Sequence, residues 1–299
     1  MNSLIVIEGT TASGKSGLGI ELARRLGGEI VSADSRQVFR GLDLGSGKVT
    51  PEEMQGVPHH LLDVCDPGEF FSMADFQRLA YQAIDDIAAR GRPTLMVGGT
   101  GLYVDAVAMG YLLSDKAPDL AYRAELETYE TPALYAMLLE KCPGCQVDGK
   151  NRNRVMRMLE KLHAGDDACP SCAPRYRVLR LGVTWPREEV KRRIDERLDA
   201  RFQAGMLEEV QGLMAQGVDP GFLLGLGLEY RFLTQYLIGE ITEFEDMKEQ
   251  LSRAIKRFAG RQMTWFRRHP DTHWLDMGGD PVGEALALIE PFLNSGEKE

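Results

Sequence analysis

A chain of 299 residues, 43% apolar and 27% charged, can bury one large core or two ordinary ones and is not composed like a disordered chain. No apolar run approaches the ~18 residues of a membrane span. The opening Met1–Glu8 lacks the basic start of a signal peptide, so a cytoplasmic protein without membrane partners is expected. A net charge of −10 excludes a generally basic nucleic-acid binder but not a local basic face, and five cysteines in such a compartment are not expected to form disulfides.

The first hundred residues alternate β-rich runs with helical patterns, which predicts an α/β fold with a parallel sheet flanked by helices. Strands are expected at Ser3–Glu8, Glu29–Ala33, His59–Val64 and Pro93–Val97. Between the last two, Met73, Phe76, Leu79, Ala83, Ile84 and Ile87 recur at helical spacing. A fifth strand at Arg175–Val183 follows a long stretch, Asp115–Ala164, that is helically patterned and carries no strand signal. This predicts a core of residues 1–114 and 174–299 interrupted by a helical insertion domain, 115–173. Pro186–Arg268 is again helical, followed by a short strand at Thr272–Leu275 and a closing helix.

Gly9-Thr10-Thr11-Ala12-Ser13-Gly14-Lys15-Ser16 matches G-x-x-x-x-G-K-[ST] in full, after a strand and before a helix. In such a loop successive backbone N–H groups turn inward onto phosphate oxygens, and the helix adds its positive end. Lys15 supplies a mobile charge, and the Ser16 hydroxyl is placed for a Mg²⁺ carried by the phosphates. The pattern indicates a polyphosphate without choosing among ATP, GTP and a prenyl diphosphate. Asp34 follows the second strand, where the carboxyl ends of parallel strands line the ligand crevice. On chemistry alone it is as well suited to capping a helix as to acting as a general base.

The string Gly9–Ser16, then Asp34-Ser35-Arg36-Gln37-Val38-Phe39-Arg40-Gly41-Leu42-Asp43, then Pro58–Asp63, then Val97–Tyr103, resembles the tRNA dimethylallyltransferase (isopentenyltransferase) family. Asn153–Glu160 and Arg261–Arg267 look like that family's RNA-contacting segments, so the likeness runs in order over roughly residues 3–276. It implies a P-loop NTPase-like fold in which dimethylallyl diphosphate occupies the loop in place of a nucleotide. The acceptor would be the exocyclic N6 amine of the adenosine 3′ to the anticodon of tRNA, position 37.

Carried over residue by residue, the resemblance makes Asp34 the general base, with Thr100 beside it as a hydrogen-bonding partner and Lys15 stabilising the departing diphosphate. Arg193 and Arg197 look like the family's arginine pair on the diphosphate; four residues apart on a helix, they share a face. RNA contacts are implied for Asp34, Ser35, Arg36, Gln37, Arg123, Asn153, Arg154, Arg157, Tyr230, Arg231, Arg257, Arg261, Gln262, Trp265 and Arg267. Two basic helical faces agree with this. One is Lys150, Arg154, Arg157 and Lys161; the other runs through Arg253–Arg268 with no acid in it. The expected partners are dimethylallyl diphosphate and the tRNA anticodon stem-loop, with the chain acting as a monomer.

Some segments depart from the family pattern. Thr10 stands where proline is common, and Gly260 where a basic residue is usual. Gly227-Leu228-Glu229-Tyr230-Arg231 replaces a glycine-tyrosine-lysine pattern and leaves the role of Glu229 open. Cys142-Pro143-Gly144-Cys145 and Cys169-Pro170-Ser171-Cys172 form two C-P-x-C knuckles, a pattern of structural Zn²⁺ sites, with buried or reactive thiols as the alternative. A kinase using ATP, a non-catalytic tRNA binder and a transferase acting on free adenine nucleotides are the competing functions.

Overall fold

The computed structural model describes residues 1–113, 119–145, 147–166 and 172–295. The chain forms two compact units: residues 1–108 with 174–299, and residues 109–173.

The first unit is built on six strands: β1 (Ser3–Gly9), β2 (Glu29–Ser32), β3 (His59–His60), β4 (Thr94–Gly98), β5 (Arg177–Thr184) and β6 (His273–Asp276). They lie in the order β3-β2-β4-β1-β5-β6, and every pairing is parallel. Central strands covered on both faces must be apolar throughout, and Leu4, Ile5, Val6 and Ile7 of β1 are wholly buried. On one face α1 (Lys15–Leu26) and α13 (Pro281–Asn294) pack against Ile5, Ile7, Leu95 and Leu181. On the other, α3 (Met73–Ala89) and α4 (Gly101–Ala108) cover Leu4, Val6, Val31 and Met96. The start of α3 is set by a reciprocal capping box between Ser72 and Asp75.

The strand expected at His59–Val64 is two residues long. Leu61 and Asp63 adopt left-handed backbone (φ 64° and 56°), which ends the pairing with β2. The remaining strands fall within two residues of expectation at each end. A short α2 (Pro51–Met54) precedes β3. After β5 come α8 (Arg187–Gln203), α9 (Met206–Ala215), α10 (Pro220–Leu226), α11 (Leu228–Leu237) and the 23-residue α12 (Phe244–Phe266). These helices share a core of Ile194, Leu198, Val210, Leu233, Leu251 and Ile255 with Val38 and Leu42 from the loop after β2.

The second unit holds α5 (Leu120–Glu127), α6 (Thr131–Lys141) and α7 (Arg152–His163) around Leu126, Leu134, Leu138, Val155 and Leu159. Asn151 caps α7 through the Arg154 N–H at 3.2 Å, and the apolar stripe of α7 faces the helical core while its basic residues face outward. Among the described residues, no helix is long and apolar enough to cross a membrane.

Candidate active site

The loop after β1 curls back on itself through left-handed residues at Ala12 (φ 59°) and Gly14 (φ 89°), the alternation that turns consecutive N–H groups into an anion-binding nest. Side chains from the helical half of the unit hold it. Trp185 donates its indole N–H to the Ser13 carbonyl at 3.0 Å, and Arg193 Nε donates to the Ala12 carbonyl at 3.0 Å. Arg197 donates to the Thr11 hydroxyl, and the Lys15 ammonium reaches the Thr10 carbonyl at 3.3 Å. Gln262 of α12 accepts from the Thr11 N–H at 2.9 Å and donates to the Gly99 carbonyl at 2.8 Å, tying the loop to the end of β4.

The ends of β2 and β4 meet beside this loop. The Ala33 carbonyl accepts from the Thr100 N–H at 3.2 Å, and a Cβ on Gly98 would collide with that same carbonyl, so only glycine permits the approach. The Thr100 hydroxyl accepts from the Ser35 N–H at 3.1 Å and lies 3.4 Å from the Ser35 Oγ. Asp34 Oδ1 accepts from the Arg36 N–H at 2.9 Å, a local turn that fixes the carboxylate.

Two cavities open on the loop. A small one of about 70 Å³ is lined by Lys15, Ser16, Asp34, Thr100, Arg197 and Gln262, among others. A larger one of about 830 Å³ is lined by Ala12–Gly17, Leu44, Gly47–Thr50, Arg193, Arg197 and Arg201. Lys15, Ser16, Gly47 and Arg197 line both, so the loop stands between them. Burial pushes the Lys15 ammonium down to about 8, with Arg197 and Arg201 acting in the same sense and Asp34 opposing. Burial, then Arg201, pushes Arg197 down to about 9, while Glu229 and Asp34 act against the shift. Cations crowded together in a crevice at some cost to their own charge are a site for a polyanion.

A model of the IPP transferase family matches residues 37–269 of this chain. The chain is 43% identical to tRNA dimethylallyltransferase 2 of Shewanella sediminis, over 96% of this chain and 97% of that protein. It is 45% identical to the enzyme of the same name from Pelobacter propionicus, over 96% and 94%. The chain belongs to the IPP transferase family. Members of the family are prenyltransferases acting on tRNA, and this chain is such an enzyme. The full-length tRNA isopentenylpyrophosphate transferase of Bacillus halodurans superposes with a TM-score of 0.77 at 37% identity, covering 100% of this chain and 99% of its own. A eukaryotic dimethylallyltransferase acting on tRNA shares the fold at a TM-score of 0.84 and 24% identity, over 99% of this chain and 80% of its own. The fold is the P-loop NTPase-like one of the family.

The structure brings together Asp34, Thr100, Lys15, Ser16, Arg36, Gln37, Arg197 and Gln262 around the smaller cavity and places Arg193 on the larger. Expectation and structure differ at Tyr230. Taken from the resemblance as an RNA contact, its side chain is wholly buried; it donates to Glu209 at 2.9 Å and accepts from the Ser46 N–H at 3.1 Å. It braces the loop that walls the cavities and has no surface to offer RNA. Gln37 and Gln262 line the smaller cavity with their amides engaged inside the protein; Gln37 joins Ser32 at 2.9 Å to the Gly47 carbonyl at 3.1 Å. Trp265, half-buried, donates its indole N–H to Asp105 at 2.8 Å, and the Arg268 guanidinium stacks 3.7 Å from its ring centroid.

Arg257 and Arg261 are exposed along α12 and Arg267 at its C-terminal cap, with Arg261 resting on Phe258, and Arg231 donates to the Leu224 carbonyl at 3.0 Å. In the second unit Asn153, Arg154 and Arg157 are exposed on α7, and the Glu160 carboxylate pairs with Arg157 at 3.2 Å and with Arg123 at 3.0 Å. Cys145 and Cys142 pack in the helical core of that unit, and Cys172 makes an isolated bridge with Tyr111. The expected fourth zinc ligand, Cys169, lies outside the described residues. Among the described residues, no three His, Cys, Asp or Glu side chains are grouped to hold a metal.

Three residues of the site were not anticipated. Arg201 follows Arg197 by four on α8, a periodicity visible in the sequence once the first two arginines are singled out. Glu209, whose carboxylate accepts from the Asp43, Leu44 and Gly45 N–H groups at 3.0, 2.6 and 3.1 Å, has no sequence signal, nor has Trp185.

Proposed function

We propose that this enzyme moves the dimethylallyl group of dimethylallyl diphosphate to the N6 amine of adenosine 37 in tRNA and releases diphosphate. The observation that carries the reading is that Asp34 lines the same small cavity as Lys15 and the phosphate loop. The adenine amine is a weak nucleophile because its lone pair is delocalised into the ring, so a base that takes its proton during attack lowers the barrier. Asp34 takes that proton as the new C–N bond forms. The donor's C–O bond breaks on the other side, and charge gathers on the diphosphate. Loop N–H groups, Lys15, Arg193 and Arg197 stabilise it. Thr100 acts as a positioning residue, since its hydroxyl pins the Ser35 backbone next to the base.

The oxygen donors at the loop suit a hard cation. Ser16 lines both cavities, no carboxylate cage surrounds it among the described residues, and a Mg²⁺ there would be held by the Ser16 hydroxyl together with diphosphate and water. When bound, such an ion neutralises charge on the leaving group.

Arg257 and Arg261 of α12, Arg267 at its C-terminal cap and Arg154 of α7 have no ion-pair partner among the described residues; they are assigned to the phosphates of the anticodon stem-loop, contacts that position the RNA without reading its sequence. The target base must leave its stack to reach a carboxylate inside a cavity. A cytoplasmic setting follows from this substrate.

The test is transfer of label from dimethylallyl diphosphate to tRNA by wild type and Asp34→Ala. Transfer by the variant should fall at least about a thousandfold, the upper part of what a general base supplies, while tRNA affinity stays within twofold. Wild-type turnover by the variant, or labelling of product from γ-labelled ATP, would overturn the reading.

A further inference from the structure

Two neighbouring residues of the site belong to neither the phosphate loop nor the two arginines already assigned. Arg201 lies one helical turn past Arg197 and two past Arg193, so all three present one face of α8, and all three line the larger cavity with Ala12–Gly17. Glu229 lies in the unusual Gly227–Arg231 segment and lines the smaller cavity with Asp34 and Lys15. Arg201 and Glu229 approach each other at 3.8 Å with side chains 12% exposed, close enough for their charges to interact but without a hydrogen bond.

A guanidinium carries five N–H donors. That of Arg201 donates none of them to a described residue, although it is mostly shielded from solvent. The wall of the cavity is shaped around it. Gly47, at φ 66°, rests against the guanidinium, and a Cβ there would collide with it. Glu209 and Tyr230 hold the Asp43–Ser46 backbone and so keep that wall in place.

We propose that Arg201 is a third arginine of the diphosphate site, extending the row Arg193–Arg197 along α8, and that Glu229 is the counterion that partly neutralises it. The inference rests on the reading of the loop as a diphosphate site. Arg201 already acts electrostatically on both Lys15 and Arg197, and Glu229 acts on Arg197 with the opposite sign. A diphosphate held by the loop enters a field to which Arg201 contributes alongside Arg197. Arginine suits this role because its fork bonds phosphate oxygens in pairs. Glu229 limits the affinity of the released diphosphate, so that product leaves.

The experiment titrates the full-length protein with inorganic pyrophosphate in the presence of Mg²⁺ by calorimetry, and measures KM for dimethylallyl diphosphate and for tRNA separately. R201A should weaken pyrophosphate binding and raise the donor KM about tenfold, the loss of one charge-assisted contact, with R201K between it and wild type and the tRNA KM within twofold. E229Q should tighten pyrophosphate severalfold, and the gain should vanish in the R201A/E229Q double variant. An R201A protein that melts at the wild-type temperature and binds pyrophosphate as wild type does overturns the proposal, as does a change confined to the tRNA KM. Should R201A fail to fold, unchanged pyrophosphate affinity in both R201K and E229Q overturns it equally. R197A separates the two levels. If it loses pyrophosphate binding while R201A does not, the diphosphate site stands without Arg201; if R197A also binds normally, the diphosphate reading itself falls.

Discussion

Lys15 illustrates how the local surroundings of one side chain become a measurable property of catalysis. Burial, Arg197 and Arg201 favour its neutral form and bring its pKa down to about 8 in the free protein. A lysine that loses its charge loses its attraction for the donor's diphosphate. Because the pKa is lowered, the charged form is present below about pH 8 and is lost as pH rises through that value. Since kcat/KM reports the free enzyme, kcat/KM for dimethylallyl diphosphate should fall above about pH 8, and binding of pyrophosphate near that pH should take up protons. A profile flat to pH 10, or proton release on binding, would contradict this account. Tyr230 makes the complementary point. The family resemblance implies an RNA contact for it, yet its hydroxyl bridges Glu209 and Ser46 inside the protein. Tyr230→Phe should cost about 1–3 kcal/mol in urea denaturation, the range for leaving buried partners unsatisfied, and leave tRNA affinity unchanged. A variant that is fully stable but binds tRNA weakly would restore the surface role.

At the scale of elements, helices that share no strand with the phosphate loop hold it in shape. Trp185 and α8 approach it from one side and α12 from another, through Gln262. The strand ends contribute Asp34 and Thr100 because β2 and β4 are direct neighbours in the sheet. Under β1 and β5, Arg180 joins Glu8 at 2.9 Å and Asp105 at 2.8 Å, and Asp105 accepts in turn from Trp265. Burial raises Glu8 to about 7, with Asp105 adding to the shift and Arg180 opposing it. This network locks α4 and the end of α12 to the strand that feeds the loop. Removing Arg180 leaves two carboxylates without their buried partner, so Arg180→Met should destabilise the protein by about 3–5 kcal/mol in denaturant titration. A loss below 1 kcal/mol would show that water reaches the site and that the network is not what joins these elements.

At the scale of the whole molecule, two units with separate cores divide the residues assigned to RNA. The first carries the chemistry and the arginines of α12; the second carries Arg154 on α7. Arg154 is exposed and has no ion-pair partner among the described residues, whereas Arg123 and Arg157 share Glu160. Arg154→Ala should therefore raise the tRNA KM severalfold and flatten its salt dependence by about one unit of slope, with the donor KM unchanged. Arg123→Ala should do less, because its charge is already neutralised. Equal effects of the two substitutions would show that the pairing with Glu160 does not persist when RNA binds.

What the sequence determined by itself was whatever depends on neighbours in the chain. The phosphate loop was legible because eight consecutive residues build it. The helices and most strands were legible because burial repeats with the period of the element. The stretch 115–164 reads as helical because no strand signal interrupts it, and α5, α6 and α7 fall within it. The short β3 was not, since nothing in its apolar run announces the left-handed residues that stop it. Tertiary structure alone decided which groups meet across the fold: Arg197 with Thr11, Gln262 with both Thr11 and Gly99, and Glu209 with the Asp43–Gly45 backbone, partners more than 150 residues apart. The physical reason is that such contacts follow from how sheet and helices pack, and packing is a property of the assembled layers that no local pattern encodes.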